Sequence, residues 1–272
     1  MSFIILLRGG GDIASGVALR LYRAGLRVAI TELNQPLAVR RLVSFAEAVY
    51  NGETTIEGVT GRRVNDPTDT LRILRVFSQK QIPVLIDPEA SAIRSLRPTV
   101  LIDGRMMKKP PEMGKEAASL VIGLGPGFIA GQNCHAVVET NRGYTMGRVF
   151  WQGAAEADTG IPESVRSYTS QRVLRAPVDG MMEERAALGA LVEEGQPVAA
   201  VDGQVVLAPF QGVLRGLLHS GVSLAQGLKI GDVDPRADPR VAAMVSDKAL
   251  AVGGGVLEAI LSRPEFRKGL WE

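Results

Sequence analysis

Short apolar runs alternate with longer, more polar segments along the first 125 residues of the chain. The runs are too short for ordinary helices, whereas several of the segments between them are long enough to hold one. Parallel strands need helical crossover connections of this kind, so the pattern predicts a parallel sheet with helices on both faces. The predicted strands are Phe3–Leu7, Arg27–Thr31, Pro83–Ile86, Thr99–Ile102 and Ser119–Ile122.

Two other segments carry helix signals. Pro67–Gln79 is a predicted helix with Asp66 as its N-cap. Gly253–Gly255 should each weaken a helix by about 1 kcal/mol relative to alanine, so the last helix is predicted to begin after them. The apolar face of the predicted 67–79 helix consists of Leu71, Leu74 and Phe77.

The stretch Val43–Val64 is compatible both with extra strands and with a loop excursion.

The first predicted strand ends in a glycine-rich turn that leads into a predicted helix over Ile13–Tyr22. The turn fits the alanine variant of the dinucleotide fingerprint, and the second strand ends about 20 residues later in the acid that binds the ribose. Glycines let a phosphate approach the backbone, and a helix N-terminus offers it free N–H groups. The predicted binding residues are Gly9, Gly10, Gly11, Asp12 and Glu32.

Polar residues and glycines also follow the other predicted strands. The carboxyl ends of parallel strands face one crevice, where ligands bind in open sheets. The alternative is structural, because acids and glycines are common turn formers and caps wherever a strand ends. The further candidates at these ends are Asp87, Asp103, Gly125 and Gly127.

The second half of the chain contains an internal repeat. Ala176-Pro-x-x-Gly180 recurs 32 residues later as Ala208-Pro-x-x-Gly212. One short β-unit used twice predicts two interlocked halves related by a pseudo-two-fold axis. Further pairs at the same spacing are Gly195 and Gly227, Val198 and Ile230, and Val201 and Val233.

This repeat resembles the biotinyl/lipoyl carrier domain, a flattened β-barrel built from two such halves. In that family a modified lysine lies on the tight hairpin that joins the halves. The corresponding hairpin, Val201–Val205, has no lysine, and Lys229 lies in the second half. The resemblance therefore implies the fold without the swinging-arm chemistry.

Several strings along the chain resemble the selenium-dependent molybdenum hydroxylase accessory proteins (YqeB-like), and the first half also looks like the Rossmann domain of xanthine dehydrogenase accessory factors. The resemblance implies a helper in maturation, cofactor insertion or selenium and sulfur loading. Its implied partners are a client molybdenum hydroxylase and a ligand, either a dinucleotide or a molybdopterin dinucleotide form of the molybdenum cofactor. The matching strings are residues 8–16, 103–109, 123–128, 139–143, 228–236 and 246–248.

Three basic residues could hold an anionic ligand. Arg105 and Lys108 could neutralise a pyrophosphate or the anionic pterin of that cofactor, although a solvated basic loop is the equal alternative. Arg142 could pair bidentately with a phosphate or carboxylate. Asn141-Arg142-Gly143 also suits a hairpin turn, and the two roles are compatible.

Cys134 and His135 admit two interpretations. A thiolate beside a histidine could carry sulfur or selenium as a persulfide-type species. A lone cysteine, however, is more often a small buried hydrophobe. The catalytic residues therefore stay unassigned.

Composition narrows the class of protein. The net charge of +2 is small for 272 residues and the basic residues are scattered, so a nucleic-acid partner is not expected. No apolar run reaches the about 18 residues of a membrane span. One cysteine and two histidines argue against disulfides and a dedicated zinc site. With no signal-peptide pattern, the expectation is a cytoplasmic protein, with a homo-oligomer left open.

These observations predict an α/β fold in four parts. They are a Rossmann-like nucleotide- or cofactor-binding domain (1–150), a linker (151–171), a small all-β barrel-sandwich domain (172–236) and a C-terminal helical segment (237–272). The expected function is hydroxylase maturation. The alternative is an NAD(P)-dependent oxidoreductase, although no Ser-x-x-x-Tyr-x-x-x-Lys string supplies a proton donor.

Overall fold

The computed structural model describes residues 3–158, 160 and 170–271. The chain forms two compact units that interleave in sequence. The first unit comprises 1–36, 45–158 and 245–272, and the second comprises 37–44 and 159–244. The C-terminal segment after residue 244 thus belongs to the first unit, whereas the predicted boundaries ran consecutively. Of the predicted linker, residues 159 and 161–169 lie outside the described residues.

Helices and strands both contribute to the first unit, and strands dominate the second. Among the described residues, no helix is both long and apolar enough to cross a membrane. The helices are α1 (Asp12–Arg23), α2 (Ala48–Asn51), α3 (Thr70–Ser78), α4 (Ala92–Leu96), α5 (Arg240–Ala243), α6 (Asp247–Leu261) and α7 (Pro264–Trp271). The strands of the first unit are β1 (Ile4–Arg8), β2 (Arg27–Glu32), β3 (Glu53–Ile56), β4 (Val59–Val64), β5 (Ile82–Ile86), β6 (Val100–Asp103), β7 (Leu120–Leu124), β8 (Ile129–Ala130), β9 (Ala136–Val138), β10 (Val149–Phe150) and β11 (Gly153–Ala154). Those of the second are β12 (Val173–Arg175), β13 (Gly180–Glu184), β14 (Leu191–Val192), β15 (Pro197–Val201), β16 (Gln204–Leu207), β17 (Gly212–Leu217), β18 (Ser223–Leu224) and β19 (Lys229–Asp234).

A nine-stranded sheet forms the centre of the first unit, in the order β10-β9-β7-β6-β1-β2-β5-β4-β3. The five predicted strands are confirmed as β1, β2, β5, β6 and β7, and each pairs in parallel with its neighbours among them. The strand order reverses at β1, which pairs with β2 on one side and β6 on the other. In open parallel sheets, ligands bind in the crevice beyond the strand ends at such a reversal.

The predicted apolar face of the 67–79 helix is wrong for Leu71 and Leu74, which are exposed, and confirmed for Phe77, which packs against the core. α3 begins at Thr70, where Asp69 is the N-cap and accepts the Arg72 N–H at 2.9 Å, while Asp66 caps the preceding turn. Leu71 is 81% exposed, and the buried residues are Ile73 and Val76, which pack into the core beside the sheet. The predicted set (Leu71, Leu74 and Phe77) and the buried set (Ile73 and Val76) both have helical spacing, so only the packing against the sheet shows which of these residues face the core.

The expectation that the last helix starts after its three glycines is also wrong. α6 runs continuously through them, from the Ser246 N-cap to Leu261. A Cβ on Gly253 would lie 3.0 Å from the Gly16 carbonyl oxygen of α1, and one on Gly255 would overlap the Gly147 carbonyl oxygen. Gly253 and Gly255 are tolerated because each lets another backbone segment approach the helix closely, which outweighs their low helix propensity.

The second unit follows the 32-residue repeat strand by strand. Its two four-stranded sheets have the orders β12-β19-β17-β14 and β16-β15-β13-β18. A shift by one repeat turns β12, β13, β14 and β15 into β16, β17, β18 and β19, and so converts each sheet into the other. Each sheet therefore contains strands from both halves. Equivalent residues are buried in one core, namely Met182 and Leu214, Val192 and Leu224, Val198 and Ile230, and Val201 and Val233.

Candidate anion-binding crevice

The backbone groups of the glycine-rich turn after β1 form hydrogen bonds with neighbouring segments of the chain. The Gly9 N–H donates to the Thr31 carbonyl at 2.8 Å, and the Gly10 carbonyl accepts from the Ser15 hydroxyl at 2.9 Å and the Ala46 N–H at 3.0 Å. Gly9 has φ +89°, a left-handed conformation that favours glycine. A Cβ on Gly10 would lie 2.9 Å from the Ala46 nitrogen. The turn is thus preorganised before any ligand binds.

Gly11 differs from its two neighbours. It is the N-cap of α1, with φ −66°, and a Cβ built on it would meet nothing within 4 Å. Its N–H donates to no acceptor among the described residues. A helix N-terminus attracts anions through free N–H groups and the helix dipole. The space over Gly11 is therefore suited to a phosphate, and the glycine is not required there by the fold.

Glu32 lies beside this turn, at the end of β2. Its Oε1 accepts the Gly10 N–H at 2.6 Å and its Oε2 accepts the Leu33 N–H at 2.9 Å. Burial raises the pKa of Glu32, against the two backbone hydrogen bonds, which lower it. Each carboxylate oxygen can accept a second hydrogen bond, so the side chain can still receive ribose hydroxyls.

Asp12 begins α1, and its Oδ1 accepts the Ile13 N–H at 2.8 Å. A carboxylate in the first helical turn interacts favourably with the helix dipole. Its charge opposes an anion at the same helix end. Asp12 is thus close to the expected ligand, but its electrostatic effect on a phosphate is unfavourable.

Arg105 adjoins the glycine turn, and its charge is already paired. A Cβ on Gly9 would lie 3.3 Å from the Arg105 backbone. The guanidinium donates bidentately to Asp103, at 3.0 and 2.6 Å, and also to Glu112 Oε2 at 2.6 Å. The Nη1 of Arg8, at the end of β1, lies 3.6 Å from Asp103 Oδ2 and 3.3 Å from Glu112 Oε2. Two arginines and two carboxylates therefore balance one another beside the crevice.

The other charged candidates are committed to contacts within the chain. The Lys108 ammonium lies 2.8 Å from Asp158. Arg142 forms a bidentate pair with Asp247 at the start of α6, at 2.6 and 2.8 Å. Asp87 accepts three hydrogen bonds from Ser91 and Ala92 and so caps α4. These contacts give each residue a structural role without requiring a ligand.

Gly125 and Gly127 have packing roles. A Cβ on Gly125 would overlap the Thr140 hydroxyl, and one on Gly127 would overlap the Lys109 carbonyl. The loop after β7 therefore packs closely on its neighbours. Both glycines are explained by this packing, whereas Gly11 is not.

The Cys134 thiol is buried, and burial raises its pKa to about 11, against backbone hydrogen bonds at Gly123 and Ile129. The neighbouring His135 cannot act as its base, since its Nδ1 accepts the Val121 N–H at 2.9 Å. Burial also lowers the pKa of His135. The structure favours the interpretation of Cys134 as a buried hydrophobe.

We expect native protein at pH 8 to be inert towards a chromogenic aromatic disulfide, because the reactive thiolate is scarce and shielded. The same protein in guanidinium chloride should release one equivalent of chromophore. Absorbance after mixing measures both reactions. Fast release from the folded protein would instead restore Cys134 as a candidate sulfur or selenium carrier.

Sequence reasoning missed three residues that organise the crevice. Ser15 joins the Gly10 carbonyl to the Phe45 N–H, and Arg8 and Glu112 complete the charge balance around Arg105. Arg8 stood out as a charged residue at the end of an apolar strand. Ser15 and Glu112 each join a nearby residue, Gly10 or Arg105, to a distant one. The distant partners are Phe45, 30 residues from Ser15, and Arg8, 104 residues from Glu112, and no sequence pattern indicates these pairings.

Comparisons with known proteins add one informative similarity. No protein-family model matches the chain. An aspartoacylase family protein from Mesorhizobium loti (12% identity, 85% of this chain and 84% of that one) has a TM-score of 0.27. The ectoine utilization protein EutE (DoeB) from Ruegeria pomeroyi (12%, 85% and 86%) has a TM-score of 0.26. Scores this low support no inference about fold.

The informative similarity is to a protein of Escherichia coli (strain K12) named "Uncharacterized protein YqeB". The two sequences are 44% identical over 258 residues, which is 95% of this chain and 47% of the relative. The chain spans about half the length of this curated relative. Over almost its whole length the chain is therefore similar to part of YqeB, which supports the YqeB-like assignment.

Proposed function

We propose that the chain is an accessory protein in the maturation of selenium-dependent molybdenum hydroxylases of the xanthine dehydrogenase type. In this proposal it binds a nucleotide, or the nucleotide end of a molybdenum cofactor, in the crevice of a Rossmann-like first unit. The observation that best supports a nucleotide ligand is the open space over Gly11, with Glu32 beside it. The process rests on the sequence resemblance alone.

The residues of the crevice fit the two halves of such a cofactor unequally. A phosphate fits over Gly11 and a ribose fits beside Glu32, at the reversal of strand order where nucleotides bind in open sheets. A pyrophosphate or the pterin was expected at Arg105 and Lys108, but both residues are engaged in ion pairs. The nucleotide half is therefore the better-supported ligand, and the pterin half would require these ion pairs to open.

We propose a barrel-sandwich architecture for the second unit. The exchange of its two sheets by one 32-residue shift supports this assignment. The β15–β16 hairpin turns at Asp202-Gly203, where carrier domains present their modified lysine. Without that lysine, this unit would contribute a binding surface for a client enzyme or a second copy of the chain, and not a swinging arm.

An NAD(P)-dependent oxidoreductase is the second candidate, since the glycine turn with Glu32 would suit a nicotinamide dinucleotide equally well. Mass spectrometry of small molecules released from purified protein on denaturation discriminates the two. A cytidine or guanosine nucleotide bearing a pterin would support the accessory role. Release of NAD or NADP would favour the oxidoreductase.

Deletion of the encoding gene should leave the client hydroxylase polypeptide present but inactive, because an accessory protein acts on cofactor loading and not on synthesis of the polypeptide. The measurement is molybdenum and selenium content of the hydroxylase purified from deletion and complemented strains. Full cofactor occupancy and normal activity in the deletion strain would overturn the maturation role.

A further inference from the structure

Two arginines lie beside the glycine turn, one of them buried and the other bound to Asp103. The Arg8 side chain is only 4% exposed. Arg105 donates three hydrogen bonds to the Asp103 carboxylate, from its Nε, its Nη2 and its backbone N–H. Register pairing of β1 with β6 sets Arg8 directly beside Asp103. Arg8 is the last residue of β1, and Arg105 follows the end of β6 and packs against Gly9.

Their two counter-ions differ in kind. The Asp103 side chain is 7% exposed, and Asp103 belongs to β6, whereas Glu112 lies on the loop before β7 and its side chain is 55% exposed. Asp103 alone leaves one of the two positive charges beside the crevice uncompensated. The exposed carboxylate of Glu112 supplies the remaining negative charge, with its Oε2 2.6 Å from Arg105 and 3.3 Å from Arg8.

A carboxylate that bridges two fixed guanidinium groups occupies the position of an oxyanion ligand. Arginine donors match phosphate and carboxylate oxygens alike, so one can replace the other without rebuilding the site. Arg105 packs on Gly9, within the same turn whose helix end is open at Gly11. A ligand with adjacent phosphates could therefore reach both places.

We infer that Arg8 and Arg105 form a phosphoryl-binding subsite of the crevice, and that the Glu112 carboxylate occupies it until a ligand phosphate displaces it. This inference rests on the proposed nucleotide ligand and adds its second anionic contact. Glu112 then lowers the affinity of the subsite for phosphate, because a ligand must displace a carboxylate that belongs to the protein itself. A ligand with a single phosphate would bind over Gly11 without opening this contact.

The competing carboxylate stays ionised at physiological pH. The hydrogen bond from Arg105, with the charges of Arg105 and Arg8, lowers the pKa of Glu112 to about 2. Protonation near neutral pH therefore cannot release it. The Glu112 carboxylate therefore competes with a ligand phosphate over the whole neutral pH range.

The test compares inorganic pyrophosphate binding to the full chain and to Glu112→Gln by isothermal titration calorimetry. Glu112→Gln should bind at least about tenfold more tightly, because the variant removes the competing charge and keeps the size of the side chain. Glu116→Gln is the matched control, since it removes the same charge from an exposed position on the same loop. It should change the affinity less than about twofold, as expected for a screened surface charge.

Adding Arg105→Gln to Glu112→Gln should cancel the gain, with thermal melts confirming that each variant is folded. Equal or weaker pyrophosphate binding by folded Glu112→Gln would overturn the subsite. If wild type still bound a nucleotide in that case, the proposed function would survive. If neither pyrophosphate nor any nucleotide bound to any variant, the subsite and the proposed ligand would both be rejected.

Discussion

Replacing Gly255 by alanine should destabilise the first unit by about 3 kcal/mol. The new Cβ would overlap the Gly147 carbonyl oxygen and lie 2.9 Å from a methyl of Val138. A backbone carbonyl cannot rotate away as a side chain can. Helix α6 would therefore have to move off the loop that precedes β10.

Gly254→Ala is the matched control, one position away in the same helix. Its Cβ would meet nothing within 4 Å, so only the helix propensity changes. Alanine should therefore stabilise the protein by about 1 kcal/mol. Urea unfolding followed by circular dichroism measures both variants. Equal changes in the free energy of unfolding would show that α6 does not pack as described.

Replacing Gly11 by aspartate should abolish nucleotide binding and leave the fold intact. The position has an ordinary φ and open space, and aspartate is a favourable N-cap, so the free energy of unfolding should change by less than about 0.5 kcal/mol. The carboxylate would occupy the position of the phosphate and would repel the negative charge of the ligand. Calorimetric titration with NAD, ATP, CTP and a cytosine-dinucleotide molybdenum cofactor measures the loss.

Gly254→Asp controls for the added charge, because Gly254 is an exposed position on α6. It should bind the nucleotide as wild type does. Undiminished binding by Gly11→Asp would place the phosphate elsewhere. No heat with any of the four ligands in wild type would reject the proposed crevice altogether.

Features that depend on neighbouring residues could be predicted from the sequence. Alternation of apolar runs located all five predicted parallel strands, and the glycine string located the turn between β1 and α1. The Ala-Pro repeat at 32 residues located the two halves of the second unit. Such features follow from side-chain periodicity and backbone stereochemistry, which act over a few residues.

The contacts between particular residues could not be predicted in this way, because they depend on how the chain folds in space. The glycines of α6 predict a helix break from propensity alone, but Gly253 and Gly255 allow the backbones at Gly16 and Gly147 to pack against a continuous helix. Arg142 pairs with Asp247, which lies 105 residues away in sequence. Arg105 pairs with Asp103 and Glu112, which lie only 2 and 7 residues away, and there the path of the loop decides the contact. Local propensity differences are about 1 kcal/mol per residue, so close packing can outweigh them. Charge pairing depends on distances in space that a single sequence does not encode locally.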